Sequence, residues 1–201
     1  MPPYDLEQFS QGLVRQYTIK IRKQELDHIR KILQKQIAAG YDIVSYSDGA
    51  CRNNPGPSGA GCAFFAVKHV AEVEEESDSE VDDEVQLNLK EEKFLFGAQM
   101  FLDYCTNNYA EYLGLILSQV LLSLARVPQA IFRADSQLLV NQVKGLSAVK
   151  NIRFVSMMPI VHDLIKHFKQ VQIEYISRNE NKVADSLAKD AASKNVGFSP
   201  Q

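Results

Sequence analysis

Residues 43–65 read Ile-Val-Ser-Tyr-Ser-Asp-Gly-Ala-Cys-Arg-Asn-Asn-Pro-Gly-Pro-Ser-Gly-Ala-Gly-Cys-Ala-Phe-Phe, and the rest of the chain is organised around them. The run Ile43 to Tyr46 is rich in β-formers and delivers one carboxylate, Asp48, to a strand end. Gly49, Asn53, Asn54, Pro55, Gly56 and Pro57 follow as a turn, and a second apolar run starts near Gly61. This reads as an antiparallel hairpin whose long turn leaves backbone accessible beside an acid. Asp-Gly after a strand is by itself an ordinary turn former, so its meaning depends on what lies downstream.

Three more carboxylates stand in settings of the same kind. Thr-Asn-Asn-Tyr-Ala-Glu (106–111) opens a long apolar-periodic helix and places Glu111 about one turn inside it. Asp135 follows the short run Ile131-Phe132-Arg133-Ala134, where a strand gives way to a helix. Asp185 lies in the first turns of the last helix, after Arg178-Asn179-Glu180-Asn181-Lys182-Val183-Ala184. Were these acids to meet at one sheet edge they would repel one another, and a hard divalent cation is what would neutralise them. In this order and spacing the four blocks resemble a type 1 ribonuclease H, in particular the compact forms that lack the basic protrusion between helices. The resemblance runs from about Tyr41 to Ser193.

The resemblance implies an α/β fold, a mixed five-stranded sheet with helices on both faces. It implies an endoribonuclease that hydrolyses the RNA strand of RNA–DNA hybrids by two-metal-ion catalysis, leaving 3′-hydroxyl and 5′-phosphate ends. The cofactor is then Mg²⁺, two ions, with Mn²⁺ able to substitute. Asp48, Glu111, Asp135 and Asp185 are the implied metal ligands, with Asp48 between the two ions. The substrate-contact candidates are Gly49, Cys51, Asn53, Asn54, Thr106, Asn107, Asn108, Gln137 and Asn181, read as backbone and amide groups that test the RNA 2′-hydroxyl. The same asparagines are also ordinary turn and cap residues, and Thr106 is a natural N-cap. Three features depart from the family pattern. Many members have a His before the last catalytic Asp, whereas Ser177-Arg178-Asn179-Glu180-Asn181 has none, which leaves Arg178 or Glu180 as stand-ins. Tyr104 stands where some members place an Arg for a DNA phosphate. The segment Lys144 to Arg153 carries only Lys144, Lys150 and Arg153 in place of a basic protrusion.

Composition sets the outer bounds. With 201 residues, 45% of them hydrophobic, one domain with a substantial core plus an appendage is expected. Met1-Pro2-Pro3-Tyr4 lacks the basic start and apolar run of a signal peptide, and no apolar stretch is long enough to cross a bilayer. Cys51, Cys62 and Cys105 are odd in number and not spaced as zinc ligands, which points to a reducing compartment, cytoplasm or nucleus. The formal charge of −3 conceals a division: residues 72–92 hold eleven acids against Lys90 alone, so the remainder carries +7. A polyanionic partner is therefore compatible with the folded part.

Residues 1–40 are expected to form an N-terminal helical extension. Leu26, Ile29, Leu33 and Ile37, widened by Ile32, recur at helical spacing over about 18–39, with Asp27 four residues before Lys31 and Gly40 as the stop. That stripe packs on the catalytic domain or on itself; the alternatives are a protein partner, self-association, or a basic arm for nucleic acid. Residues 41–195 are expected to form the catalytic domain, 72–92 an acidic, disordered insertion within it, and 196–201 a tail. Strands are expected at about 61–70, 93–101, 129–134 and 171–176, besides the first. Helices are expected at about 108–124, 136–144, 154–168 and 182–192. The rivals to a hybrid-cleaving enzyme are a catalytically weak ribonuclease H-fold module that binds nucleic acid or a protein, and a nuclease that also cuts RNA–RNA duplexes.

Overall fold

The structure, a computed structural model, describes residues 21–69, 90–193 and 199–200. Residues 1–20, most of the acidic insertion and most of the C-terminal tail lie outside the described residues. Along the chain come α1 (Lys23–Ala38), β1 (Asp42–Cys51), β2 (Gly56–His69), β3 (Lys90–Cys105), α2 (Asn107–Leu124), β4 (Gln129–Ala134), α3 (Gln137–Val143), α4 (Ile152–Val155), α5 (Met158–Ile165), β5 (Gln170–Tyr175), a 3₁₀ turn (Arg178–Glu180), α6 (Lys182–Ser193) and β6 (Ser199–Pro200).

The sheet order is β5-β4-β1-β2-β3, with the two-residue β6 added outside β3. β1 to β3 form an antiparallel meander, whereas β4 and β5 run parallel to β1. The sheet is therefore the expected mixed one. β1 sits at its centre and is buried through seven of its ten residues, which is why Ile43 to Tyr46 reads as nearly unbroken apolar sequence.

Side-chain alternation along β1 divides the interior in two. Ile43 joins Phe64, Phe132, Leu117 and Leu121 in the larger core, which α1, α2, α3 and α5 cover. Val44 and Tyr46 point the other way, to Ala63, Ala184 and Leu187 beneath α6. α2 is apolar nearly all round because it is the helix pressed on the sheet centre, with eleven of its eighteen residues buried.

Several boundaries differ from expectation. β1 continues through Cys51 and β2 begins at Gly56, so the turn that joins them spans only Arg52 to Pro55. β3 takes in Lys90, Glu91 and Glu92, which the sequence reading assigned to the insertion. The single helix expected at 154–168 is two short ones, because Pro159 has no N–H to continue a ladder from α4 into α5. Ser199 and Pro200, expected as tail, pair with Gln99 and Ala98.

α1 belongs to the domain's interior: Ile29 and Leu33 are buried in the larger core, with Ile21 and Ile37 packed at its border. Arg30 ties the helix down by donating to the Leu124 carbonyl at 3.0 Å. Asp27 pairs with Arg30 at 3.0 Å rather than with Lys31. The helix ends as Gly40 predicts. Its φ of +80° lets Gly40 N–H reach Ile37 O and Tyr41 N–H reach Gln36 O, at 3.0 and 3.1 Å.

Candidate active site

Strand topology brings the four carboxylates together. The parallel register of β1 and β4 ends at Ser47 opposite Ala134, so Asp48 and Asp135 are the next residues of two neighbouring strands. Glu111 reaches them from the second turn of α2, and Asp185 from the first turn of α6. All four line one cavity of about 430 Å³, at the carboxyl ends of the parallel strands, where open α/β sheets place their ligands.

Glycines set the approach of both helices. A Cβ on Gly49 would lie 2.1 Å from Glu111 N and 2.3 Å from Ala110 C; one on Gly114 would lie 2.6 Å from Asp48 O. β1 and α2 thus touch backbone to backbone, and this contact carries Glu111 to Asp48. On the other face a Cβ on Gly61 would lie 2.5 Å from Ala188 N and 2.6 Å from Ala184 O, and Gly59 stands equally close to Ala188 and Ala192. Sequence reasoning read Gly49 as a turn and substrate-contact residue and Gly61 as the start of an apolar run, and passed over Gly59 and Gly114. The signal was a Gly-x-Gly inside an apolar strand, which marks close backbone approach.

Each acid has a protein partner. Asp48 is buried, and its Oδ1 accepts from Gly49 N–H at 2.8 Å. Burial first, then the Asp135 charge, with smaller contributions from Asp185 and Glu111, pushes its pKa up to about 7. Glu111 accepts from Asn107 Nδ2 at 2.9 Å, and burial raises its pKa against the hydrogen bonds from Ser136 and Asn107. Asp135 accepts from Asn181 Nδ2 at 2.8 Å. Asp185 contacts Lys189 Nζ at 2.5 Å and Arg178 Nη2 at 3.7 Å. Oxygen donors of this kind fit a hard divalent cation, and a buried Asp48 beside three other acids is an electrostatic reason for one. With the side chains turned to these partners, no three His, Cys, Asp or Glu among the described residues form a ready-made ion cage.

The substrate-contact candidates divide. Gly49, Cys51 and Asn107 line the cavity. Asn54 accepts from Asn107 N–H at 3.1 Å, which pins the β1–β2 turn to the start of α2. Asn53, exposed, holds the turn with φ +59°. Thr106 caps α2 through Tyr109 N–H. Asn108 and Gln137 are exposed on their helices away from the cavity lining, and Gln137 donates to Asn141. Asn181 departs from expectation: it is fully buried, and its Nδ2 donates to Ser47 O and to Asp135. It reaches the site through Asp135, not by facing a ligand.

Arg52, Tyr175, Arg178 and Lys189 also line the cavity. Of the two candidates for the missing His, Arg178 faces the cavity, whereas the Glu180 carboxylate closes back on Ser177 N–H and Oγ. Lys189 was not anticipated, although its spacing of four from Asp185 on one helix face was there to read.

A family model described as Reverse transcriptase-like matches residues 86–191, just over half of the chain. The bifunctional protein Rv2228c of Mycobacterium tuberculosis is 30% identical over 149 residues, 74% of this chain and 35% of that protein. The chain thus spans about a third of the length of the curated relatives it matches. The structure of the N-terminal RNase H domain of Rv2228c, solved as a fusion with maltose binding protein, superposes with a TM-score of 0.60 at 27% identity, covering 76% of this chain and 94% of that one. RNase H1 from Halobacterium salinarum NRC-1 gives 0.60 at 24%, covering 76% and 98%. LC11-RNase H1 in complex with RNA/DNA hybrid gives 0.58 at 24%, covering 76% and 97%. The strand order, the four acids at one strand edge and these likenesses agree: the chain belongs to the reverse transcriptase-like family and is built on the ribonuclease H fold of the type 1 enzymes.

Proposed function

We propose that the protein is a ribonuclease H: a divalent-metal-dependent endoribonuclease that cuts the RNA strand of RNA–DNA hybrids. The observation that carries this reading is the meeting of Asp48, Glu111, Asp135 and Asp185, from β1, α2, the end of β4 and α6, on one open cavity. The likeness to an RNase H1 solved with an RNA/DNA hybrid supports the substrate. The three cysteines, all unpaired, support a reducing compartment, cytoplasm or nucleus. No described helix is long and apolar enough to cross a membrane.

Asp48, Glu111, Asp135 and Asp185 would hold two Mg²⁺ ions, with Mn²⁺ able to replace them. Bound there, the ions would supply Lewis acidity toward the attacking water and the leaving 3′-oxygen. The rest is the work of the chain's own groups. Asp48, whose pKa burial and then the Asp135 charge push up to about 7, would be held ionised by a bound cation. Asn107 holds the Glu111 carboxylate and Asn181 that of Asp135, so both acids are oriented before substrate arrives. The backbone of Gly49 and the side chains of Cys51 and Asn107 form the wall on which a ribose 2′-hydroxyl is read.

The test is cleavage of end-labelled RNA–DNA hybrid with Mg²⁺ or Mn²⁺, beside single-stranded RNA, RNA duplex and DNA duplex. Cutting of the RNA strand that leaves 5′-phosphate ends, and that Asp48→Asn and Asp135→Asn abolish, is the expected result. A folded protein that binds hybrid and cuts nothing with either metal would leave a binding module. Equal cutting of RNA duplex would widen the substrate class.

A further inference from the structure

The cavity carries cations of its own. Lys189, one turn after Asp185 on α6, sets Nζ 2.5 Å from Asp185 Oδ2, while Arg178 sets Nη2 3.7 Å from Asp185 Oδ1. Both oxygens of this carboxylate therefore face a base. Asp48, Glu111 and Asp135 instead accept from neutral donors, namely Gly49 N–H, Asn107 and Asn181. A divalent ion and an ammonium seek the same lone pairs and repel each other besides, so both cannot sit on Asp185 at full strength.

The helix cannot relieve that conflict. With Ala184 O and Ala188 N only 2.6 and 2.5 Å from where a Cβ of Gly61 would be, α6 rests directly on β2. The side chains can relieve it. Lys189 is 58% exposed and Arg178 77%, against 20% for Asp185, and a lysine on a flexible stem returns to water at little cost.

We propose that Lys189 is a built-in competitor for the divalent ion at Asp185: it neutralises that carboxylate in the ion-free protein and swings into solvent when the ion is ligated. The proposal rests on reading the four carboxylates as metal ligands. It makes Lys189 a positioning residue whose effect appears in metal affinity with no substrate present.

The measurement is Mn²⁺ binding to the metal-free, full-length protein without nucleic acid, read from the signal of free Mn²⁺ by electron paramagnetic resonance. Lys189→Met and Lys189→Gln should each lower the Kd of the weaker-bound ion by about one-and-a-half- to fivefold, the size expected when an exposed ion pair no longer has to be broken. Lys189→Arg should stay close to wild type. In an Asp185→Asn background Lys189→Met should change nothing. Unchanged or weaker Mn²⁺ binding by Lys189→Met and Lys189→Gln overturns the proposal. An equal gain in the Asp185→Asn background also overturns it, since the effect would then be one of overall charge. If wild type binds Mn²⁺ and only the response to Lys189 fails, the competitor role falls and the nuclease reading stands. If protein with a native circular dichroism spectrum binds no Mn²⁺, the metal reading falls and takes this proposal with it.

Discussion

Burial and three neighbouring carboxylates push Asp48 up to about 7 from an ordinary 3.8, so the ionised form strains the fold. The sign follows from proton binding. Between about pH 4 and pH 7 the folded state holds a proton that the unfolded state has lost, so this group's contribution to stability falls as pH rises through that window and stays low above it. Asp48→Asn keeps an oxygen for Gly49 N–H and removes the charge. In metal-free buffer it should stabilise the protein by about 2–4 kcal/mol near pH 8.5 and by clearly less near pH 5, in chemical denaturation. Mg²⁺ should raise the melting temperature of wild type and not of the variant. A gain independent of pH would show that the fold does not raise the Asp48 pKa. Asn181 offers a second test at this scale. Being fully buried between Ser47 and Asp135, it can act only by placing Asp135. Asn181→Ala should lower kcat by about tenfold or more while hybrid affinity, measured with Ca²⁺, stays put. A loss confined to affinity would mean that the side chain meets substrate after all.

Elements were legible wherever local pattern and tertiary role coincide. Val171-Gln172-Ile173 alternates because β5 lies at a sheet edge, and α2 is apolar all round because it crosses the sheet centre. The four acids stood out because Asp48 comes just before a turn sequence, Asp135 falls between a strand and a helix, and Glu111 and Asp185 lie in the opening turns of helices. What escaped was information that exists only between elements. Gly49 and Gly56 look like loop residues in sequence, yet the first lies within β1 and the second starts β2, because hairpin pairing continues past the carboxylate. The β2 glycines are spaced as any turn would be, and only the α6 backbone against them shows that their use is a missing Cβ. Two substitutions separate these uses. Gly145→Ala meets nothing within 4 Å but is held at φ +73°, so it should cost about 1 kcal/mol of stability and leave Mn²⁺ affinity unchanged. Gly61→Ala must push α6 off β2, which should cost about 1–3 kcal/mol and weaken Mn²⁺ binding as Asp185 moves with the helix. Equal Mn²⁺ affinity in the two variants would show that α6 placement does not govern the site.

At the scale of the whole molecule, the question is whether the domain begins at β1 or before it. From sequence, the stripe on residues 26–37 favours packing on the domain or on itself but leaves a partner or a second copy open, because an amphipathic face does not name what it faces. The structure turns that stripe onto the larger core, where Leu33 has no exposed surface and Ile29 is 5% exposed. Arg30 fastens the helix to the end of α2, the same helix that carries Glu111. α1 thus helps set the seat of α2, and α2 places Glu111 against Asp48. Leu33→Ala should destabilise the protein by about 2–4 kcal/mol, the usual result of emptying a fully buried leucine site. A chain lacking residues 1–39 should melt at lower temperature still and lose hybrid cleavage on warming before wild type does. Were α1 instead an arm for nucleic acid, Leu33→Ala would leave the melting temperature where it was, and Lys31→Ala and Lys35→Ala, on exposed positions of the same helix, would flatten the salt dependence of hybrid binding. The burial of Leu33 predicts the first pattern, and thermal melts of these three variants, run beside salt-titrated hybrid binding, decide between the two.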